Sequence, residues 1–203
     1  MDSLDFNKIL DREILAEKIR ATLVDFEKNK HDLTRKRGMY IYGSPGCGKT
    51  TFVKNLIKSM DYDIVLYDAG DIRNKMVIDN ITKNNMSDRN VISLFNKKTK
   101  QIAIIMDEID GMNNGDKGGI NSLIKQIRPK KTKKQKEEES TNTPIICISN
   151  YHVDKKIKEL MKVCNVFELS PPTDKQINSI INSCMPNIDE TLNINIKEFI
   201  KSD

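Results

Sequence analysis

This 203-residue sequence has little of several things that would redirect its reading. It carries two histidines, His31 and His152, and four cysteines, Cys47, Cys147, Cys164 and Cys184, spread far apart with no CxxC pair. That leaves no zinc-type ligand pattern, no disulfide framework and little basis for a histidine metal site, and makes a reducing compartment the default. The longest unbroken apolar run is five residues, Ile102 to Met106, against roughly 20 for a membrane-spanning helix. The opening MDSLDFNKIL carries acids and no long apolar stretch, so neither a secretory signal nor a membrane partner is expected. What is present is 37% hydrophobic and 31% charged residues with a mean hydropathy of −0.54. Such a chain is globular and polar, and long enough to bury a core without covalent staples. Its length suits one domain, or one domain with a fragment of a second.

The charge is local. Lys plus Arg number 34 and Asp plus Glu 29, a net of +5, but the stretch from Lys125 to Glu139 alone holds seven bases and three acids. The rest is nearly neutral, so the basic excess belongs to one segment and not to the whole surface. Within that stretch, Lys130 to Thr143 is of low complexity and reads as a mobile insertion before a strand.

Hydrophobic periodicity supplies the architecture. Leu15, Ile19, Leu23 and Phe26 stand at helical spacing, and the polar run Lys28 to Arg37 after them reads as an exposed helix end and loop. Short apolar runs bounded by turns follow: Met39–Tyr42, Ile64–Tyr67, Ile102–Met106, Ile145–Ile148 and Val166–Leu169. Each is too short for a helix and most lack polar alternation, as in strands covered on both faces. Between them, Thr50 to Met60 sets Phe52, Val53, Leu56, Ile57 and Met60 on one helical face, and Asn121 to Ile127 buries Leu123, Ile124 and Ile127. Strand and helix in alternation predict an α/β fold, a parallel five-stranded sheet with helices on both faces. Pro171 and Pro172 close the pattern; an amphipathic helix through Ile177, Ile180, Ile181 and Cys184 follows, with Thr173 as its expected N-cap, then a short helix around Ile194 to Ile200.

Two segments carry chemistry. Gly43-Ser44-Pro45-Gly46-Cys47-Gly48-Lys49-Thr50 fits GxxxxGK[ST], and it follows a strand and opens a helix, as the motif requires. The glycines let main-chain N–H groups wrap a phosphate at a helix N-terminus. Lys49 would reach the β- and γ-phosphates and Thr50 would offer its hydroxyl to Mg²⁺, so ATP and Mg²⁺ are the expected ligands, with Thr51 completing the binding loop. Later, the strand Ile102–Met106 ends in Asp107 and Glu108, at the sheet edge where open α/β folds bind ligands. Asp107 would hold the metal and Glu108 would polarise the attacking water. Asn150 ends the next apolar run and would orient that water or touch the γ-phosphate.

In this order the motifs resemble the AAA+ ATPases. The finer text, Met106-Asp107-Glu108-Ile109-Asp110-Gly111-Met112, then Gly118-Gly119-Ile120, then Pro144-Ile145-Ile146-Cys147, is similar to the large-subunit family of replication factor C, the sliding-clamp loader. The resemblance runs from about Tyr40 to about Met185. It implies a three-layer P-loop AAA+ domain over residues 1–170 and the start of an incomplete helical lid over 171–203. It also implies a clamp-loader subunit that hydrolyses ATP to load a polymerase clamp on primer–template DNA. Its partners would be small subunits, the clamp and that DNA, in the nucleus or at a cytoplasmic viral replication site. By the same resemblance, Arg73, Lys75, Lys125 and Arg128 become DNA-backbone contacts. Val91, Ile92, Leu94 and Phe95 become clamp anchors. Lys162-Val163-Cys164 stands where small subunits carry a finger arginine, so this chain is expected to receive such an arginine rather than donate one. Asp68 occupies a position where the family usually has an asparagine. The alternatives are a module that recruits clamp and DNA on bound nucleotide with little turnover of its own, or another AAA+ replication ATPase.

Overall fold

A computed structural model describes residues 6–68, 100–114, 117–136, 140–151 and 155–202. Arg73, Lys75, Val91, Ile92, Leu94 and Phe95 therefore lie outside the described residues. In chain order the elements are α1 (Phe6–Ile9), α2 (Glu13–Lys28), β1 (Gly38–Tyr42), α3 (Lys49–Ser59), β2 (Tyr62–Tyr67), β3 (Gln101–Met106) and a 3₁₀ helix (Ile109–Asn114). Then follow α4 (Lys117–Ile127), α5 (Lys133–Lys136), β4 (Ile145–Ser149), α6 (Lys155–Val163), β5 (Cys164–Glu168), α7 (Asp174–Cys184) and α8 (Glu190–Ser202).

The five described strands form one parallel sheet in the order β2-β3-β4-β1-β5. β4 is buried along its whole length, and four of the five residues of β1 are buried. The edge strand β5 alternates between sheltered and more open positions. This is the difference expected between strands covered on both faces and a strand at the margin. Period-2 side-chain direction divides the core in two. Tyr40, Ile104, Met106 and Cys147 pack towards Leu123 of α4 and Leu160 of α6. Met39, Ile41, Ile105 and Ile146 pack towards Leu23 of α2 and Val53 of α3. The fold is thus a three-layer α/β sandwich, as the alternating pattern predicts.

Element bounds moved by a few residues, and some expectations fail on burial. Ile124 is half-buried rather than buried and packs against the core from its margin. The run Lys28–Arg37 is not simply an exposed loop: Arg37 is 3% exposed, donates to the main-chain oxygens of Thr141 and Lys30, and lies over the Phe26 ring. The segment Lys130–Thr143 is likewise anchored at both ends, since Lys130, Thr141 and Thr143 are buried. The Lys130 ammonium donates to Lys125 O at 2.6 Å, and its N–H donates to Leu33 O at 2.7 Å. Lysine and arginine stems are long enough to bury their methylenes while delivering their donors to main-chain oxygens, an option that a hydropathy pattern does not display.

After Pro171 and Pro172, α7 starts on a reciprocal capping box. The Thr173 hydroxyl accepts from Gln176 N, and the Gln176 side chain accepts from Thr173 N at 2.9 Å. α8 is longer than the pattern around Ile194–Ile200 suggested.

Candidate nucleotide site

Three neighbouring strands, β3, β4 and β1, end on the same edge of the sheet, and each delivers a different part of the site. The loop after β1 is Gly43–Gly48 and runs directly into α3. Two of its glycines are there for different reasons. A Cβ on Gly43 would meet Leu169 O at 2.3 Å, so only glycine lets the loop lie against the chain leaving β5. Gly48 has φ +81, in the left-handed region that glycine enters at little cost, and this turns the chain into α3.

Lys49 begins α3 and is 8% exposed. Its ammonium donates to Ser44 O at 2.7 Å, Gly43 O at 3.2 Å and Asn150 Oδ1 at 2.9 Å. A cation is tolerated there because every proton has an acceptor. Thr50, one residue on, donates its hydroxyl to Asp107 Oδ2 at 2.7 Å, which joins the β1 loop to the end of β3. Glu108 has φ +51, so the chain kinks sharply just past the strand, and Gly111 N donates back to Glu108 O at 2.8 Å to close the first 3₁₀ turn. The Glu108 side chain is left exposed while the next residue, Ile109, is fully buried.

These groups surround a cavity of about 330 Å³ lined by Pro45, Gly46, Gly48, Lys49, Thr50 and Thr51 on one wall. Asp107, Glu108 and Asn150 stand on the other, with Ile148 and Ser149. Gly43, Ser44 and Cys47 are the loop residues that do not line the cavity: Gly43 and Ser44 contribute carbonyls to Lys49, and Cys47 is buried with its Sγ 3.7 Å from Leu169 O. All of the predicted phosphate-loop and acidic residues are therefore brought together at one sheet edge. Lys125 is exposed on α4 and Arg128 is half-buried just beyond that helix's end.

Two contributors were invisible to sequence reasoning. Arg12, at the N-terminus of α2, is 8% exposed, donates to Cys47 O at 2.7 Å and lies 5.8 Å from the centroid of the Phe52 ring. Burial pushes its guanidinium below the usual arginine value, with the neighbouring Cys47 acting the other way. It braces the phosphate loop from behind, and nothing in a lone arginine 35 residues upstream advertises that. The other is Asp110, whose carboxylate accepts from Asn150 Nδ2 at 3.3 Å. A third feature is a carboxylate held by two phenols: Tyr151 and Tyr42 donate to Glu168 at 2.6 and 3.2 Å. That hydrogen bond to Glu168 is the main reason the Tyr151 hydroxyl is pushed up to about 12.

A parallel sheet with a glycine-rich loop, a buried lysine and a strand-end acid pair converging on one cavity defines a P-loop ATPase type of site. The family model for the ATPase family associated with various cellular activities (AAA) matches residues 39–171, and the chain belongs to that family. Among individual relatives, it is 32% identical over 150 residues to replication factor C subunit 1 of Saccharomyces cerevisiae, covering 70% of this chain and 16% of the yeast protein. It is 30% identical over 130 residues to the replication factor C large subunit of Methanococcus aeolicus, covering 64% of this chain and 24% of that one. With the large subunit of Nanoarchaeum equitans it shares 26% over 181 residues, 89% of this chain and 38% of the relative. The chain thus spans well under half the length of each. Among solved structures, PCH-2 of C. elegans superposes with a TM-score of 0.56 at 18% identity, over 92% of this chain and 52% of that one, and shows the shared fold.

Proposed function

We propose that this chain is the ATPase part of a sliding-clamp loader of the replication factor C large-subunit type, binding ATP with Mg²⁺ and hydrolysing it. The observation that carries the reading is the convergence of Lys49, Thr50, Asp107, Glu108 and Asn150 on one cavity at the ends of three adjacent strands. The similarity to replication factor C large subunits supplies the partners: small subunits, a clamp and primer–template DNA.

Each residue then has a task. Lys49 exchanges the carbonyls of Gly43 and Ser44 for phosphate oxygens, a stronger charge-assisted set of acceptors. Asp107 and Thr50 already share a hydrogen bond of 2.7 Å and present hard oxygens to the cavity. Among the described residues no group of three or more His, Cys, Asp and Glu gathers to cage a metal. That fits an ion held by one carboxylate, one hydroxyl, water and the substrate's phosphates, which is how Mg²⁺ is usually bound. When bound, it supplies neutralisation of charge on the β- and γ-phosphates. Glu108 is exposed at the cavity wall and takes the proton of the attacking water as general base. Asn150 contacts the γ-phosphate or the water.

In the same reading, residues 1–170 form the ATPase domain and 171–203 open a helical lid. Lys125 and Arg128 approach the DNA backbone, joined by Arg73 and Lys75, and Val91, Ile92, Leu94 and Phe95 anchor the clamp. The site works in the nucleus and takes a finger arginine from a neighbour. The second reading, nucleotide binding with little turnover, is favoured by Asp68, which lies exposed at the end of β2 where the family usually has an asparagine.

ATP turnover by the chain alone, with primed DNA, and with clamp and small subunits separates the two. Turnover that rises only with the partners supports the clamp-loader reading; tight binding without turnover under every condition supports the second. Glu108→Gln should lower the stimulated rate by about 10²–10⁴-fold while nucleotide affinity is kept; an unchanged rate would remove Glu108 from the chemistry.

A further inference from the structure

The peptide joining Cys47 to Gly48 has two sides, and different surroundings meet them. On one side, Cys47 O accepts from the Arg12 guanidinium at 2.7 Å. A trans peptide points its N–H opposite to its C=O, and there is no cis peptide among the described residues. The Gly48 N–H is therefore directed away from Arg12. Gly48 lines the cavity and Arg12 does not, so that N–H is aimed at the cavity side of the loop. No hydrogen bond from Gly48 N forms among the described residues.

The orientation of this peptide needs a hold from outside the loop. Turning its plane over carries φ of Gly48 from +81 to the negative side, and glycine occupies both about equally well. The loop's own backbone thus has little preference between an N–H facing the cavity and a carbonyl facing it. Cys47 is pinned elsewhere: its N–H donates to Ser44 O at 3.5 Å and its thiol to Leu169 O at 3.7 Å. Those bonds hold the residue but not the peptide plane that follows it. The bond from Arg12 holds that plane.

Arg12 is itself well fixed. Its N–H donates to Asn7 O and its carbonyl accepts from Ala16 N, both at 2.9 Å, and its guanidinium lies over the Phe52 ring of α3. It is 8% exposed, and no carboxylate pairs with it among the described residues. A buried guanidinium without an anion at hand keeps its donors for the carbonyl.

We propose that Arg12 is a positioning residue for the phosphate site: by holding Cys47 O, it fixes the Gly48 N–H as an inward donor to the nucleotide's phosphates. This rests on the nucleotide reading above. Arg12 touches no phosphate itself. It removes the alternative in which a carbonyl faces the anion, so the loop is ready before the nucleotide arrives and binding does not have to turn the peptide.

Cys47–Gly48 is the only Cys-Gly pair in the chain, so labelling cysteine carbonyls with ¹³C and glycine with ¹⁵N gives one NMR cross-peak for this peptide alone. In the wild-type full chain its N–H should move downfield on saturation with ADP and Mg²⁺. An N–H that stays in place in the ADP-bound protein overturns the proposal without any variant. Arg12→Met keeps much of the stem and removes the donors. Its ligand-free carbonyl signal should move upfield, and its affinity for ADP with Mg²⁺ should fall by about 10- to 30-fold. Arg12→Lys restores the charge and a donor, and should return to within about threefold of wild type. A folded Arg12→Met that loses stability but binds ADP like wild type would make Arg12 a brace only, which overturns the proposal. So would a loss of affinity with the cross-peak unchanged in the free and bound states. Lys49→Ala separates the two levels. If that variant binds ADP like wild type, the nucleotide reading fails and this inference with it; if it loses binding while Arg12→Met keeps it, only the present inference fails.

Discussion

The two ends of the sheet solve the same problem and use the solution differently. At the strand C-termini, Lys49 is nearly buried and its donors go to two main-chain carbonyls and one side-chain amide. At the opposite end, Arg37 and Lys130 are buried more completely, and carbonyls of Thr141, Lys30 and Lys125 are among their acceptors. What differs is what lies beyond the cation. Lys49 borders a cavity of about 330 Å³ flanked by acids and a glycine loop, so stronger acceptors can displace its present ones. Arg37 instead ties the segment after α2 to the segment before β4 and stacks on Phe26. A buried cation on carbonyls is a lock where the surroundings are closed and a ligand site where they are open.

That contrast breaks most visibly if Lys49 is truncated. Lys49→Ala should reduce nucleotide affinity by at least about 100-fold, since charge-assisted bonds to phosphate vanish, while leaving the folded state intact. Isothermal titration checks the first half and circular dichroism the second. Retention of nucleotide affinity would mean that the open end is not a phosphate site at all. Arg37→Met should do the reverse. The oxygens of Thr141 and Lys30 lose their donor inside the protein, which should cost about 2–4 kcal/mol of stability, read by urea denaturation, while nucleotide affinity of the folded fraction stays within about twofold. If Arg37→Met instead weakened nucleotide binding at unchanged stability, the two ends would not be separable.

A smaller effect sharpens the comparison between the buried layer and the surface. The thiols of Cys147 and Cys164 lie in the core beneath α4 and α6. Burial holds Cys147 well above the usual thiol value and pushes Cys164 up to about 12. A thiol whose folded value is raised contributes stability that is fully present below the unfolded value of 9.0 and is lost as pH climbs towards 12. The melting temperature should therefore hold between pH 7 and about 8.5 and decline above about 9, and Cys164→Ala should flatten part of that decline. A melting profile that stays level to pH 10.5 would show that these thiols are not sealed in the core.

Much of this was legible in the chain itself. The gathering of the glycine loop, Lys49, Thr50 and the pair Asp107–Glu108 around one cavity was legible because the motif needs fixed residue types at fixed spacing, directly after apolar runs. Thr173 was found because a capping box is a local hydrogen-bond pattern written within four residues. Arg12, Asp110 and Arg37 escaped. Their partners, Cys47, Asn150 and Thr141, are 35, 40 and 104 residues away, and no periodicity encodes such a pairing. The buried ends of Lys130–Thr143 escaped for the same reason: a lysine-rich run reads as solvated until a carbonyl is seen over one of its ammonium groups.

By itself, then, the sequence determined the layer order, the parallel sheet and the phosphate loop, because side-chain period and loop chemistry act over a few neighbouring residues. Only the tertiary structure decided which cations are buried, which carboxylate meets Asn150 and where the cavity opens. Those depend on main-chain acceptors brought together from distant parts of the chain, and a main-chain carbonyl looks the same at every position in a sequence.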